Sequence, residues 1–240
     1  METSLRETSD LIASSLARDV DVAGFVLAGG QSARMGTDKA LVPLAGQPLV
    51  LHALTILRET GLRGSIAGAR ATLDSFAPVI EDSEQDQGPL GGICSALAST
   101  ETRWAVFLPI DLPLLPTALL AFLLARAQRA RSAISVVETN GIVQTFPAVI
   151  ERSALSGLRA ALTNGNRGCF SAFQTAARDL GQTVMSISLK SIIETAQVTH
   201  PAGLPADCWF LNINSPADLA RAQMLLERSL FAPGQHRAAS

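Results

Sequence analysis

Short apolar, β-branched runs alternate along this chain with longer stretches whose apolar positions recur at helical spacing. The runs VAGFVL (22–27), GSIAG (64–68), APVIED (77–82), WAVFLPID (104–111), AISVVET (133–139), VQTFPAVI (143–150), TVMSISL (183–189) and WFLNIN (209–214) predict strands. Stretches near 47–60, 90–99, 116–130, 151–163, 169–178 and 216–230 predict helices between most of them. Strand-helix alternation of this kind predicts an α/β fold of three layers, a mostly parallel sheet with helices on both faces. Pro116 suits a first helical turn, and Ser215 with Pro216 forms an N-cap and first-position pair that starts the last helix near 216. Residues 1–20 are polar and mixed and are expected to be an extension outside the core. The expected domain is 21–231, and the apolar-poor tail APGQHRAAS (232–240) is expected to be disordered.

Composition narrows the function classes. A chain of 240 residues, 48% hydrophobic, is long enough for one sizeable core, and the expectation is a single domain. With 19 basic and 21 acidic residues and a formal charge of -2, there is no overall field to draw in nucleic acid. Cys94, Cys169 and Cys208 are far apart and lack C-x-x-C spacing, which argues against structural zinc and a disulfide framework and fits a reducing compartment. The first 20 residues carry acids where a signal peptide needs positive charge, and no apolar run approaches the roughly 20 residues of a membrane span. A cytoplasmic location with no membrane partner is expected.

The segment GFVLAGGQSARMGTDKALVPL (24–44) holds the candidate chemistry. It is neither of the two familiar phosphate loops. The dinucleotide fingerprint needs G-x-G-x-x-G with an acid about twenty positions on, but Gly29 and Gly30 are adjacent and no acid lies between Asp38 and Glu59. The P-loop needs four residues between its glycines and a following Lys, whereas five separate Gly30 from Gly36 and Thr37 follows. Two adjacent glycines ending a strand of an open parallel sheet still let backbone N–H groups approach an anion or a base. Arg34 can grip phosphate as a fork and Lys39 can act as a point charge. Lys39 is one of only two lysines, with Lys190. The bland reading is a sharp turn with an exposed Arg34–Asp38 pair of little energetic weight. Asp82 ends VIED ahead of QGPLGG, which holds Gly88, Gly91 and Gly92, and Asp111 ends AVFLPID with prolines at 113 and 116 beyond it. A carboxylate at each rim suits a hard divalent cation; the alternative for both is capping the next helix.

LAGGQSARMGTDKALVPLAGQPL resembles the signature loop of the molybdenum cofactor nucleotidyltransferases, L-A-[GA]-G-x-S-x-R-M-G-x-D-K. The likeness extends through VIED, GPLGG, the D-x-P of Asp111 to Pro113, and LNINSPADL, and covers residues 22 to about 226. It implies a Rossmann-like sheet of the nucleotidyltransferase type and transfer of a nucleotidyl group to a phosphorylated pterin, with Mg²⁺ and release of pyrophosphate. It implies that Leu27, Ala28 and Gly29 line the nucleotide base, that Arg34 and Lys39 hold the triphosphate, that Asp82 touches the nucleoside, and that Gly30 and Gly88 also bind the nucleotide. Asp111 would coordinate the metal, with Asn214 as a further candidate ligand; Asn212 and Asn214 fit the late N-x-N-[ST]-P segment on the metal or pterin side. L-A-G-G resembles the guanylyl enzymes and L-A-A-G the cytidylyl ones, so Gly29 implies GTP as substrate, a molybdopterin-type acceptor, and transient contacts with molybdoenzyme maturation proteins. One departure is SIAGAR: Ala67 and Gly68 stand where the guanylyltransferases often carry an Asn.

Attack of a phosphate oxygen on a nucleotide α-phosphorus needs charge neutralisation and alignment more than a proton-transfer residue. His52, His200 and His236 accordingly lie in no motif with a nucleophile, and G-x-S-x-G is absent. The rival readings are a cytidylyltransferase or another small-molecule nucleotidyltransferase of the same fold, and a binding module that kept the pocket and lost catalysis. Intact Arg34, Lys39 and Asp111 speak against the last.

Overall fold

The computed structural model describes residues 21–28, 38–68, 71–82 and 87–230. In chain order the elements are β1 (Val22–Leu27), β2 (Pro43–Leu44), β3 (Gln47–Pro48), α1 (Leu49–Glu59), β4 (Gly64–Ala67), β5 (Val79–Ile80), α2 (Gly88–Ser99), β6 (Trp104–Pro109), α3 (Thr117–Ala130), β7 (Ile134–Thr139), β8 (Ile142–Glu151), α4 (Leu155–Thr163), α5 (Cys169–Asp179), β9 (Met185–Ser188), α6 (Leu189–Glu194) and α7 (Pro216–Leu230). The expected extension 1–20 and tail 232–240 lie outside the described residues. None of the described helices is long and apolar enough to cross a membrane.

Among the described residues, seven strands form one sheet in the order β5-β4-β1-β6-β8-β7-β9, and β2 and β3 make a small separate hairpin. All neighbours are parallel except β8, which runs antiparallel to β6 on one side and to β7 on the other. The period-2 alternation of the central strands makes the three layers. Val26, Val106 and Leu108 face the layer built with α1, α3 and α6 (Leu49, Leu57, Leu119, Leu123, Ile192). Phe25, Leu27, Ala105 and Phe107 face the layer of α2, α4 and α5 (Ile93, Leu97, Leu158, Phe173). Phe25 and Phe107 are register partners on β1 and β6, and their rings stack at 5.3 Å.

Two expected strands are corrected. Residues 209–214 form no strand: the amides of Cys208, Trp209 and Leu211 close turns on the carbonyls of Pro205, Ala206 and Cys208. The apolar character of WFLNIN serves packing, since Trp209 and Ile213 are buried and the Trp209 indole N–H donates to the Leu204 carbonyl at 2.9 Å. The APVIED strand shrinks to Val79–Ile80, whose partners are Ile66 and Ala67, so Asp82 lies two residues past the ladder. The short helix α6 falls where the chain was expected to end a strand at 189.

Ligands in an open α/β sheet bind where the strand order reverses. Here the chain leaves β1 for β4 and β5 on one side, then crosses back to place β6 on the other side of β1. The crevice beyond the carboxyl ends of β1 and β6 is that point.

Candidate active site

Lys39 enters the crevice from the segment after β1. Asp38 caps a single 3₁₀ turn, Lys39–Leu41, its Oδ1 accepting from the Ala40 amide at 3.0 Å, while Ala40 is fully buried and pins the turn. Lys39 Nζ donates to Asp111 Oδ2 at 3.0 Å and to Asn214 Oδ1 at 2.8 Å. In the folded chain Asp38 is thus a turn cap. Arg34, Gly29 and Gly30 lie outside the described residues.

Asp111 follows β6 by two residues and is held by its main chain. The Ile110 amide donates to the Leu27 carbonyl at 3.2 Å, tying the β6 exit to β1, and the Asp111 carbonyl accepts from the Ile213 amide at 3.0 Å. Buried Ile213 is thereby the anchor that brings Asn214 to the crevice. The Lys39 and Asp111 side chains are 15% and 22% exposed, so their attraction is only partly screened. The capping alternative for Asp111 fails, since α3 has no side-chain cap and the Asp111 carboxylate accepts from the Lys39 ammonium instead.

The oxygen donors here are the Asp111 carboxylate and the Asn214 amide. The described residues contain no cluster of three His, Cys, Asp or Glu side chains able to hold a metal. Mg²⁺ is commonly bound through one or two carboxylates plus substrate phosphates rather than by an all-protein cage. The donor set fits an ion of that kind arriving with a nucleotide.

Asp218, in the first turn of α7, belongs to the site without being a candidate from sequence. Its Oδ2 accepts from the Asn214 amide at 3.1 Å and the Ser215 hydroxyl at 2.7 Å, and its own amide donates to Ser215 Oγ at 3.2 Å. The Ser215 hydroxyl bond, the Asn214 amide and the Lys39 charge hold its carboxyl below the usual range. The detectable signal was the S-x-x-D spacing of a capping box running through Ser215 and Asp218.

Asp82 stands on the β4–β5 side, against α2. Its Oδ1 is buried and, among the described residues, without a hydrogen-bond partner, and burial pushes its carboxyl above the ordinary value of 3.8. Gly92 allows this approach: a Cβ there would lie 3.3 Å from the Gly68 amide nitrogen and 3.5 Å from Asp82 Oδ1. Gly88 opens α2 at φ +62°, with open space where a side chain would be, so backbone conformation rather than close approach calls for glycine. Leu27 is buried and Ala28 half-buried, and their inner polar groups serve the sheet: the Leu27 carbonyl accepts from Ile110 and the Ala28 amide donates to the Ala67 carbonyl at 3.1 Å. Ala67, at the SIAGAR departure, is fully buried between β1 and β5.

Among the described residues the other titratable candidates are engaged elsewhere, and His236 lies outside them. His52 Nε2 meets the Leu44 carbonyl at 2.8 Å; His200 Nδ1 accepts from the Ala202 amide, and burial lowers its pKa. Cys94 and Cys169 are pushed up to about 11 by burial and stay thiols at neutral pH.

A family model described as MobA-like NTP transferase domain matches residues 24–180. The molybdenum cofactor guanylyltransferase of Cupriavidus taiwanensis is 42% identical over 164 residues, 63% of this chain and 81% of its own length. The probable molybdenum cofactor guanylyltransferase of Haloferax mediterranei is 30% identical over 216 residues, covering 86% of this chain and 95% of that one. Among solved structures, the molybdopterin-guanine dinucleotide biosynthesis protein A of Archaeoglobus fulgidus superposes with a TM-score of 0.69 over 86% of this chain and 99% of its own, at 21% identity. At that identity the last likeness speaks for the fold.

Proposed function

The chain belongs to the MobA-like NTP transferase family, and from that premise we propose that it transfers GMP from GTP to the phosphate of molybdopterin, giving the guanine dinucleotide cofactor and pyrophosphate. The observation that carries the reading is the convergence of Lys39, Asp111 and Asn214 at the point where the strand order reverses. A phosphate oxygen of the acceptor attacks the α-phosphorus of GTP. The bond from that phosphorus to the bridging oxygen breaks, and its electron pair leaves with pyrophosphate. A phosphate monoester is already anionic at neutral pH, so no side chain has to remove a proton, in keeping with His52 and His200 bonded elsewhere.

Lys39 supplies a positive charge for the phosphates, and the family motif gives Arg34, Gly29 and Gly30 a role in binding the same nucleotide. Asp111 and Asn214 would hold Mg²⁺, which supplies charge neutralisation when bound. Asp82, beside Gly91 and Gly92 of α2, offers a nucleoside donor its Oδ1, which has no partner among the described residues; Gly88 lies further along the nucleotide, and Leu27 and Ala28 floor the base site. The reaction is set in the cytoplasm, with transient contacts to molybdoenzyme maturation proteins for delivery of the product.

Turnover with each of the four nucleoside triphosphates, Mg²⁺ and a molybdopterin acceptor tests the reading through pyrophosphate release and product mass. Guanine offers a larger polar edge than cytosine, and each buried group left unpaired by the wrong base costs about 1–3 kcal/mol. The kcat/KM for GTP should therefore exceed that for CTP by about tenfold or more, and Gly29→Ala should erode the ratio. A CTP value equal to or above the GTP value overturns the guanylyl assignment.

A further inference from the structure

Asn214 is exposed and sits in irregular chain between Ile213 and the start of α7, yet its side chain holds the Lys39 ammonium at 2.8 Å. Two consecutive amides fix the chain just before its Cα. The Ile213 amide donates to the Asp111 carbonyl at 3.0 Å, and the Asn214 amide donates to Asp218 Oδ2 at 3.1 Å. The first belongs to the β6 exit, the second to the first turn of the helix that follows. Asp218 Oδ2 also takes the Ser215 hydroxyl at 2.7 Å, so one oxygen both closes the helix cap and clamps the peptide before Asn214. A carboxylate serving only the cap would have no need of the Asn214 amide.

We propose that Asp218 is a positioning residue for guanylyl transfer: it acts through Asn214 to set where the Lys39 ammonium and the Asp111 carboxylate meet. This rests on the reading of the crevice as the transfer site. The chain is Asp218 Oδ2 to the Asn214 amide, Asn214 Oδ1 to Lys39 Nζ, and Lys39 Nζ to Asp111 Oδ2. With the clamp gone, the Asn214 peptide turns toward solvent and its side chain no longer fixes the ammonium. Misplacement of a reacting or positioning group by about 1 Å can lower a rate about 100-fold.

The chain offers a direct probe, because it has only two lysines and the other, Lys190, is 81% exposed and only 3.8 Å from Glu194 on its own helix. In full-length protein labelled with ¹³C,¹⁵N-lysine, the Lys39 Cε resonance reports the ammonium's surroundings with or without turnover. Ser215→Ala removes the same helix cap but leaves the Asp218 oxygen for the Asn214 amide, so it is the matched control for stability. Asp218→Asn keeps an acceptor oxygen and loses the charge.

Asp218→Ala should lower kcat about 10- to 100-fold with KM for GTP within about threefold of wild type, and should move the Lys39 resonance toward that of Lys190. Ser215→Ala should melt earlier yet leave kcat and the Lys39 resonance as in wild type. Asp218→Asn should retain most of kcat and the wild-type Lys39 resonance. The inference is overturned by a Lys39 resonance in Asp218→Ala identical to wild type, by a kcat loss in Ser215→Ala as large as in Asp218→Ala, or by an Asp218→Asn as slow as Asp218→Ala, which would assign the effect to charge alone. If the wild-type chain forms no guanine dinucleotide while the Lys39 resonance responds as described, the guanylyl reading fails and the clamp stands.

Discussion

Lys39 and Asp111 share one oxygen contact at 3.0 Å, and that contact sets what either substitution should do. Asp111→Asn keeps the size of the side chain and an oxygen for Lys39, so the melting temperature should change little. Turnover should fall about 10²–10³-fold, the loss typical of removing one group that stabilises developing charge; wild-type turnover in this variant would remove Asp111 from the mechanism. A divalent cation on Asp111 must compete with the ammonium already there, because two positive charges on one carboxylate repel each other. Lys39→Met should therefore bind Mn²⁺ more tightly than wild type in the absence of nucleotide, while binding GTP more weakly. Electron paramagnetic resonance of the free ion measures the first, and unchanged or weaker Mn²⁺ binding would show that Lys39 is not the resident counter-ion. Asp82 works in the opposite sense, as a carboxyl raised by burial. Its neutral form suits the folded chain, so its contribution to stability is present below the ordinary value of 3.8 and is lost as pH rises through the higher folded value. Asp82→Asn should raise the melting temperature at neutral pH, with the gain vanishing below that ordinary value, and should weaken nucleotide binding. A thermal scan across pH that finds the variant less stable at neutral pH contradicts this account.

At the level of elements, α4 and α5 cross where a glycine admits another helix's backbone. A Cβ at Gly157 would lie 2.8 Å from Ala176 Cα, which is main chain and cannot swing aside. Gly157→Ala gains about 0.5–1 kcal/mol of helix propensity but overpacks the crossing at a cost of about 1–3 kcal/mol. The net effect should be a lower denaturation midpoint with transfer activity retained; a more stable variant would mean the helices separate freely. Helical segments such as 117–130 and 216–230 were legible in the sequence because their apolar periodicity and caps agree, and β1 because its run ends at a polar loop. WFLNIN misled because burial of Trp209 and Ile213 gives a coil the apolar content of a strand. The pair β2 and β3, two residues each, is too short to leave a periodic trace, and α6 was hidden behind the apolar run of β9.

For the whole molecule, the strand order explains why Lys39 and Asp111 could be read from local sequence. Both follow strands that end at the reversal between β1 and β6, where a strand-end rule finds them. Asn214 was placed through its motif, whereas Asp218 was not, because its link to Asn214 is a single hydrogen bond visible only once the chain is folded. The expectations for Gly29, Gly30 and Arg34 concern residues outside those described. The crevice also has a consequence for biosynthesis. Lys39 and Asp111 are 72 positions apart, but Lys39 and Asn214 are 175 apart. At about 5–20 residues per second, the ribosome delivers Asn214 roughly 9–35 s after Lys39. A nascent chain can thus lay β6 beside β1 and seat Lys39 on Asp111 well before the third partner exists. The part of the site that would grip phosphate is a translation-early structure, and its completion waits on the last helix, so a stalled chain would carry the paired charges without Asn214 to complete the site.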